Sequence, residues 1–342
     1  MRGWLGVALL GLLCATIPAC ARAGLDRYEF RRVIMGVDAR ISLFAPDESA
    51  AADIARAGFV RLGELDAVLS DYRRDSELNH LAGAPPGLPV PLGPDLENVL
   101  RASLRAAALT QGAFDPTIGP LVTIWRDVRR SRELPDGLEL LVARRAVGAC
   151  LIDLIPRPDP SSPAMAILRA PNMRLDLGGV GKGYAAAAAR DAVRARGAPR
   201  CLVSLAGDVA AGDPPPGREG WEIGIGAGER RLGVVLLSNL SISTAGDTEQ
   251  FTEIDGIRYA HIIDPRTGFP VENAPCVSVV STDGAMADAL DTGLVILGKR
   301  PVGQVLASLP EEPPCAAILF DPRSDEPPLV TGRVDLIRWK ER

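Results

Sequence analysis

A short glycine-rich stretch with one lysine, GGVGKG at residues 178–183, is the first part of the sequence suited to chemistry. Glycines let main-chain amides approach an anion closely, and a helix predicted to begin near Tyr184 would point its positive end at the same place. The stretch therefore predicts a phosphate-binding turn to which Lys182 adds a charge. A tight strand-to-helix turn with a solvated lysine is the alternative.

This turn matches neither of the two common phosphate-binding motifs. A Walker A loop needs G-x-x-x-x-G-K-[ST], but Asp176 stands where the first glycine belongs and Gly183 follows the lysine. A Rossmann fingerprint needs G-x-G-x-x-G, and Tyr184 occupies the place of its last glycine. Any phosphate bound here must therefore be held by a different geometry.

The segment ADALDT at residues 287–292 places oxygen ligands on a predicted helix. Asp288 and Thr292 are four residues apart, and Asp291 lies three residues after Asp288, so the side chains share one face. Two carboxylates and a hydroxyl, with no histidine, form a hard set that suits Mg²⁺ or Ca²⁺ better than zinc. The alternative, strongest for Asp288, is that the acids only stabilise the start of the helix.

The chain has only two histidines, so each is informative about proton transfer. His80 lies at a predicted helix end, and we interpret it as structural or solvent-facing. His261 precedes IIDPRTG, on a predicted strand that enters a tight turn, and it is the candidate general base. A packed, hydrogen-bonded histidine is the alternative for His261.

The composition and the missing motifs exclude several classes of protein. The net charge is −5 with both signs interspersed, which disfavours nucleic acid as a partner. The motifs G-x-S-x-G, H-E-x-x-H and C-x-x-C-H do not occur, which disfavours serine hydrolases, zinc proteases and c-type haem proteins.

Residues 1–23 predict an export signal. Arg2 precedes an apolar run that is shorter than the ~20 residues of a membrane-spanning helix, and small residues follow it. The segment IPAC, ending at Cys20, resembles a lipoprotein box whose cysteine is acylated, whereas ARA, ending at Ala23, resembles an ordinary cleavage site. Both interpretations predict a periplasmic protein, and the first adds a lipid anchor in the inner membrane.

The cysteines outside this signal are far apart and form no C-x-x-C pair, which disfavours zinc. Export permits disulfides, but the spacing selects no pairing. We interpret these residues as buried free thiols; they are Cys150, Cys201, Cys276 and Cys315.

The elements that must position these residues mix helices with strands. Helices are predicted for 47–70 and 184–196, and a strand for 173–177. AFDPTIGPLV, residues 113–122, is loop-like and leads into an arginine-rich segment, and 212–220 is predicted to be an exposed hairpin loop.

The irregular order of helices and strands indicates an α+β fold, with mixed, largely antiparallel sheets flanked by helices. Residues 24–342 are predicted to form a single domain with two lobes.

Eight segments resemble, in the same order, those of the ApbE-type FAD:protein FMN transferases, or flavin transferases. The resemblance runs from about residue 30 to residue 340. The segments are MGVDARIS, LSDYRRDSELNHL, GAFDPTIGPLVTIW, LDLGGVGKGYA, LAGD, STAGDTEQF, YAHIIDPRTGFP and ADALDTGLVILG.

The resemblance implies a T-fold-like protein that binds FAD in a cleft together with Mg²⁺. The implied activity moves FMN from FAD to a Thr or Ser hydroxyl of a target redox protein, through a phosphoester bond, and releases AMP. The implied acceptor is a flavin-carrying subunit of an Rnf- or Na⁺-translocating quinone reductase-type complex, or another protein with an FMN-binding domain.

The resemblance also implies roles for individual residues. His261 resembles the family's candidate base. Asp176 either hydrogen-bonds the adenosine half of FAD or shapes the loop. Magnesium ligands are implied at the Gly179 carbonyl and at Asp288, Asp291 and Thr292. FAD contacts are implied at Met35, Tyr72, Ala113, Phe114, Asp115, Asp176, Lys182 and Ile262.

Three positions depart from the family's usual residues. Val37 stands where threonine is common, Ala206 replaces the first glycine of the usual Gly-Gly-Asp that ends at Asp208, and Thr248 stands where an aromatic residue is frequent. None of them is an implied metal ligand, so they bear on the flavin pocket and on the entry of the acceptor.

Two other functions use the same residues. An FAD pyrophosphatase would give FMN and AMP with water in place of the acceptor hydroxyl. A non-catalytic flavin-binding lipoprotein would need no metal set, and the acidic helix segment argues against it.

Overall fold

The structure is a computed structural model that describes residues 24–159, 161–247, 251–307 and 312–340. The predicted export signal, with its alternatives at Cys20 and Ala23, and also Thr248, lie outside the described residues. Across the described ranges, no helix is long and apolar enough to cross a membrane.

The first helix begins and ends close to the predicted bounds of 47–70, and two other helices are informative exceptions. Asp47 caps the first helix, where its carboxylate accepts a hydrogen bond from the Ala50 amide at 2.8 Å. The α-helices are α1 (Glu48–Leu69), α2 (Glu77–Ala82), α3 (Pro94–Leu109), α4 (Gly119–Ser131), α5 (Gly137–Arg144), α6 (Gly181–Ala195), α7 (Gly284–Leu297) and α8 (Lys299–Ala307).

The first exception is α6, which begins at Gly181 rather than near Tyr184, so the glycine turn itself enters the helix. The second is α4, which begins inside the segment predicted to be a loop and includes the arginine-rich stretch. Leu121, Ile124, Trp125 and Val128 form its buried stripe, at the i, i+3, i+4, i+7 spacing of an amphipathic helix. The many arginines obscured this period in the sequence.

Seventeen strands lie within the described residues. They are β1 (Asp26–Ile34), β2 (Val37–Ala45), β3 (Val90–Leu92), β4 (Ile152–Ile155), β5 (Ala164–Leu168), β6 (Cys201–Leu205), β7 (Asp208–Ala211), β8 (Trp221–Ala227), β9 (Arg230–Leu237), β10 (Ser241–Ala245), β11 (Phe251–Ile254), β12 (Ile257–Ile263), β13 (Pro270–Glu272), β14 (Cys276–Ser281), β15 (Cys315–Phe320), β16 (Leu329–Gly332) and β17 (Arg338–Trp339).

These strands form one large sheet and three small ones, which confirms the predicted α+β fold with largely antiparallel pairing. The large sheet has the order β1-β2-β6-β7-β10-β14-β15-β16. The small sheets are β3-β5-β4, β17-β9-β8 and β11-β12-β13. Neighbours such as β2 and β6, or β14 and β15, run antiparallel.

The large sheet is covered on both faces, because alternate side chains of each strand enter two different cores. Ile41 and Leu43 of β2 pack with α1, α6 and α7 in the main core. Phe44 points the other way and joins the core beneath β8 and β9, together with Trp221. The sheet therefore forms a central layer, and α6 and α7, which carry the glycine turn and the acidic segment, pack on one of its faces.

Two predicted loop and strand assignments are wrong. Residues 173–177 form no strand, since the Asp176 amide donates to the Pro116 carbonyl in the loop before α4, at 2.9 Å. Residues 212–220 form no hairpin loop, because β7 belongs to the large sheet and β8 pairs with β9 in a separate one.

All four described cysteines are free, as predicted, but one of them is not buried. Cys201, Cys276 and Cys315 are buried, whereas Cys150 is exposed. Burial raises the pKa of both Cys201 and Cys276 to about 12, so these two thiols stay protonated and inert at neutral pH.

Candidate active site

The glycine turn is closed by its own aspartate and lies directly against α7. Asp176 accepts the Gly178 amide at 2.9 Å through Oδ1. A Cβ atom added to Gly179 would lie 3.0 Å from Thr292 Oγ1 and 3.4 Å from the Phe114 ring. Gly179 and Thr292 are therefore neighbours, as the resemblance implied, and the turn leaves little space for a side chain between them.

Helices α6 and α7 approach so closely that only glycine fits at their contact. A Cβ atom on Gly183 would lie 2.1 Å from the Gly284 carbonyl oxygen, and one on Gly284 would lie 2.3 Å from the Gly183 carbonyl oxygen. The close approach lets the Gly183 amide donate to Asp288 Oδ2 at 2.9 Å. The sequence indicated glycines suited to an anion, whereas at Gly183 the glycine is needed for helix packing.

Lys182 is not a solvated lysine. Its ammonium donates to the Gly178 carbonyl and lies 3.3 Å from Asp208 Oδ2 and 3.6 Å from Asp288 Oδ1. Burial alone would lower the pKa of Lys182, but the surrounding carboxylates outweigh it and raise the pKa. The lysine is therefore a permanent cation among oxygen ligands.

The carboxylates of this cluster are linked by a serine on the neighbouring strand β10. The Ser243 hydroxyl contacts Asp208 and also Asp291 Oδ2, the latter at 2.5 Å. The Thr292 hydroxyl donates to Asp291 Oδ1 at 3.2 Å. Three elements of the fold, β7, β10 and α7, thus bring their polar side chains to one buried place.

The acidic residues of α7 do not serve to begin the helix, which corrects the alternative left open for Asp288. Asp283 is the N-cap and accepts the Ala285 amide at 2.9 Å. Asp288 and Asp291 are buried beyond the first turn. Burial and the nearby carboxylates raise the pKa of both groups, because each charge is poorly solvated and repelled by its neighbours.

This donor set fits a hard divalent cation. Asp208, Asp288 and Asp291 are all buried around one lysine, so full deprotonation leaves excess negative charge that a bound cation would stabilise. Within the described ranges, however, no three His, Cys, Asp or Glu side chains converge as a ready metal cage. A cation here would therefore also need the Thr292 hydroxyl and a main-chain carbonyl.

The segment at residues 113–115 lies underneath the turn. Ala113 and Phe114 are buried. Asp115 accepts hydrogen bonds from the Thr117 amide and hydroxyl through Oδ1, and from the Ala149 amide through Oδ2 at 2.8 Å. Burial raises the pKa of Asp115 despite these hydrogen bonds. Its carboxylate anchors the loop before α4, so a ligand contact in this segment would involve the backbone.

Tyr72 and Asp176 are joined by a residue that the sequence did not reveal. The Arg126 guanidinium, from α4, lies 4.7 Å from the centre of the Tyr72 ring and 3.5 Å from Asp176 Oδ2. It also donates to Asp71 Oδ2 at 2.9 Å. Tyr72 itself is 77% exposed, so its ring is available to a ligand.

Three implied residues lie at the edge of this arrangement. Met35 occupies the turn between β1 and β2, and strand register places that turn at the same end of the sheet as Ala206, just before Asp208. His261 and Ile262 lie on β12, which contacts α7; the His261 side chain is exposed and Ile262 is buried. His80 is exposed at the end of α2, as expected.

Sequence reasoning missed three residues that complete the site: Arg126, Asp208 and Ser243. Asp208 did carry a signal, because it is an acidic residue that follows the turn in LAGD and begins an apolar strand. Arg126 and Ser243 left no such signal, because one lies in an arginine-rich helix and the other in the common strand sequence SIST.

The fold and the site together define an α+β protein in which a glycine-rich turn and an acidic helix enclose a buried lysine. The chain belongs to the ApbE family, whose model matches residues 35–319. The resemblance seen in the sequence segments is therefore confirmed.

Relatives in this family are similar over most of their length. The FAD:protein FMN transferase of Salmonella typhimurium is 29% identical over 309 residues, which cover 88% of this chain and 87% of the relative. The FAD:protein FMN transferase of Treponema pallidum is 30% identical over 321 residues, covering 90% of this chain and 89% of the relative.

Solved structures of the family share the fold. The apo form of the flavinyl transferase ApbE of Pseudomonas stutzeri superimposes with a TM-score of 0.75 at 25% identity, over 90% of this chain and 95% of that one. The ApbE protein of Thermotoga maritima gives a TM-score of 0.74 at 26% identity, over 86% of this chain and 94% of that one.

Proposed function

We propose that this chain is a Mg²⁺-dependent FAD:protein FMN transferase. It moves FMN from FAD to the hydroxyl of a threonine or serine in a target redox protein and releases AMP. The observation that supports it most is the buried cluster of Lys182 with Asp208, Asp288 and Asp291 beside the glycine turn. Family membership and the names of the relatives agree with this activity.

The cluster is suited to a substrate that carries a diphosphate. Asp288, Asp291 and Thr292, with the Gly179 carbonyl, would hold the Mg²⁺. When bound, the ion neutralises charge on the phosphate oxygens. Without an ion, the carboxylates would repel a diphosphate, and Lys182 alone offsets only part of that charge.

The transfer has a simple balance of bonds and protons. The acceptor hydroxyl oxygen forms a bond to the phosphorus of the FMN half, and the bond from that phosphorus to the bridging oxygen breaks. AMP leaves with the bridging oxygen. We assign the hydroxyl proton to His261, whose exposed side chain on β12 is accessible to a protein acceptor.

The remaining implied contacts would hold FAD around this centre. The exposed Tyr72 ring offers a surface for stacking, and Asp176 Oδ2 lies 3.5 Å from the Arg126 guanidinium that contacts this ring. Because Ala113, Phe114 and Asp115 are buried, we assign them to the floor of the cleft. Other contacts are proposed at Met35, Lys182 and Ile262.

We also propose that the protein works in the periplasm, with an Rnf- or Na⁺-translocating quinone reductase-type subunit, or another FMN-binding-domain protein, as acceptor. The apolar segment before Cys20 supports export, and acylation of Cys20 would add an inner-membrane anchor. Cell fractionation of the intact chain, compared with Cys20→Ala, tests both points: loss of membrane association in the variant supports the anchor, and a cytoplasmic wild type contradicts export.

The activity is tested by incubating purified protein with FAD, MgCl₂ and a candidate acceptor, and measuring the acceptor's intact mass. A gain of one FMN unit that EDTA abolishes is the expected result. The matched acceptor with its target threonine changed to valine should gain no mass.

AMP release without any acceptor separates the main rival. Rapid release of AMP and FMN, with no transfer to the acceptors offered, would make the chain an FAD pyrophosphatase. Tight flavin binding with neither AMP nor transfer, with Mg²⁺ present, would make it a flavin-binding protein.

A further inference from the structure

Arg126 links two loops that are distant in sequence. Its guanidinium donates to Asp71 Oδ2 at 2.9 Å and lies 3.5 Å from Asp176 Oδ2, while its carbon Cζ is 4.7 Å from the centre of the Tyr72 ring. One planar group therefore contacts a carboxylate from each loop and an aromatic ring at the same time, a combination that lysine's point charge cannot reproduce.

The two carboxylates that Arg126 joins would otherwise repel each other. The pKa of Asp176 is raised by burial first and by Asp71 second, while Arg126 and Lys182 act in the opposite direction. The pKa of Arg126 is itself raised by its hydrogen bond and charge interactions with Asp71, against the effect of burial. Removing the guanidinium would therefore leave Asp71 and Asp176 without the cation that lies between them.

The backbone of the Tyr72 loop is held by hydrogen bonds from α2, the helix that follows it. The Asn79 side-chain amide donates to the carbonyls of residues 70, 71 and 73, the last at 2.8 Å. These bonds fix the backbone of the loop but do not orient the Tyr72 ring, which is 77% exposed. Within this cluster, it is Arg126 that contacts the ring.

We propose that Arg126 is a positioning residue for the flavin nucleotide. It holds the Tyr72 ring as a stacking surface for a flat aromatic ring of FAD, and it directs Asp176 toward the polar part of the same ligand. This inference rests on the proposed function, because it needs FAD to be the ligand. Exposed aromatic rings stack well on flat ring systems, and a guanidinium on one face of the ring fixes its plane.

The test measures FAD binding with MgCl₂ present and without acceptor, by quenching of flavin fluorescence in the full chain. Arg126→Ala should raise the Kd by about 10-fold and weaken the quenching at saturation, because both the stacking surface and the Asp176 orientation are lost. Arg126→Lys should give an intermediate Kd, since lysine keeps the charge but not the planar contact.

Arg130→Ala is the matched control. Arg130 lies on the same helix, pairs with Asp127 at 3.2 Å, and both side chains are largely exposed. Its Kd should equal that of the wild type. In turnover assays, Arg126→Ala should raise the KM for FAD while kcat at saturating FAD stays within about threefold of the wild type, as expected for a group that acts through binding.

A Kd for Arg126→Ala within twofold of the wild type, or a loss of kcat with unchanged Kd, overturns the inference. If Arg126→Ala fails to fold by thermal melting, Arg126→Lys carries the same test. If the wild type binds FAD but Arg126→Ala and Arg130→Ala have the same Kd, this inference alone is refuted. A wild type that binds no flavin refutes the proposed function together with it.

Discussion

The Gly183 amide donates a hydrogen bond of 2.9 Å to Asp288 Oδ2, and this bond joins the first turn of α6 to the acidic face of α7. It can form only because Gly183 and Gly284 have no side chains where the helices touch. The glycine turn and the acidic segment, more than a hundred residues apart in the chain, therefore form one structural unit.

Replacing Gly183 should damage both stability and activity. In Gly183→Ala, the new Cβ would lie 2.1 Å from the Gly284 carbonyl oxygen and 2.7 Å from Asp288 Cβ, so the helices must move apart. We expect a loss of about 1–3 kcal/mol in the free energy of unfolding, measured by urea denaturation, and a loss of transfer activity.

Gly63→Ala is the control for this change. Gly63 lies in α1, and a Cβ there would meet no atom within 4 Å. Because alanine favours helix over glycine, this variant should be as stable as the wild type or gain up to about 1 kcal/mol. Equal stability of Gly183→Ala and Gly63→Ala would contradict the close helix contact.

Replacing Asp288 should separate activity from folding. Asp288→Asn keeps an acceptor for the Gly183 amide but removes a charge that Asp208 and Asp291 repel. Turnover with Mg²⁺ should fall by about 100-fold or more, because a cation ligand is lost. The melting temperature without Mg²⁺ should be unchanged or higher.

Asp127→Asn is the control for Asp288→Asn. Because Asp127 is exposed, this change should alter neither turnover with Mg²⁺ nor the melting temperature without it. A large fall in the melting temperature of metal-free Asp288→Asn would show that Asp288 has a structural role instead.

Stability should depend on pH and on Mg²⁺ together. Asp288 and Asp291 have raised pKa values in the folded protein, so above their ordinary value of 3.8 the fold retains protons that the unfolded chain has released. The stability that they contribute is therefore lost as pH rises through the window up to their raised pKa values. Mg²⁺ binds the deprotonated groups, so it should raise the melting temperature more at pH 8 than at pH 5.

Thermal melting with MgCl₂ and with EDTA at the two pH values measures this effect. An equal Mg²⁺ effect at both pH values, or none at pH 8, would argue against these carboxylates as the cation site. NaCl at matched ionic strength controls for general screening.

Removing His261 should slow transfer more than it weakens FAD binding. A general base typically contributes about 10²–10⁴-fold in rate, so His261→Ala should lower kcat by that order while the Kd for FAD changes little. His80→Ala, at the only other histidine of the chain, should behave as the wild type. Parallel losses of kcat and FAD affinity in His261→Ala would make it a binding residue.

Replacing Ala206 with glycine should stabilise the protein. Its φ of 51° lies in the left-handed region, which costs a residue with a Cβ about 1–2 kcal/mol. Glycine would relieve this backbone strain, but its greater conformational freedom in the unfolded chain offsets part of the gain in stability. Ala206→Gly should therefore raise the free energy of unfolding by up to about 1 kcal/mol, measured by urea denaturation.

Ala188→Gly, inside α6, is the opposite case and should cost about 1 kcal/mol. A lower stability for Ala206→Gly than for the wild type would show that its backbone is not strained.

Local patterns were enough to predict most of the elements and part of the site. The helical period of α1 and the placement of Asp288, Asp291 and Thr292 on one helix face follow from spacing over a few residues. The failures arose where spacing is not informative. Residues 173–177 look like a strand, but their partner is the loop before α4.

The candidate site was only partly visible for the same reason. The sequence predicted that Lys182 adds a charge to a phosphate-binding turn, and only the structure shows that it also pairs with Asp208 from β7 and Asp288 from α7. Arg126 was hidden among the arginines of α4, where nothing in the spacing distinguishes it from Arg130.

The sequence by itself determined the family, the α+β class, and the residue types that bind hard cations and phosphates, because these depend on short motifs and local periodicity. Only the tertiary structure decided which charges meet. Lys182, Asp208 and Asp288 come from three elements, and their contacts depend on sheet order and on two glycines that let α6 approach α7. Contacts of this kind are set by packing across the whole core, which no local pattern encodes.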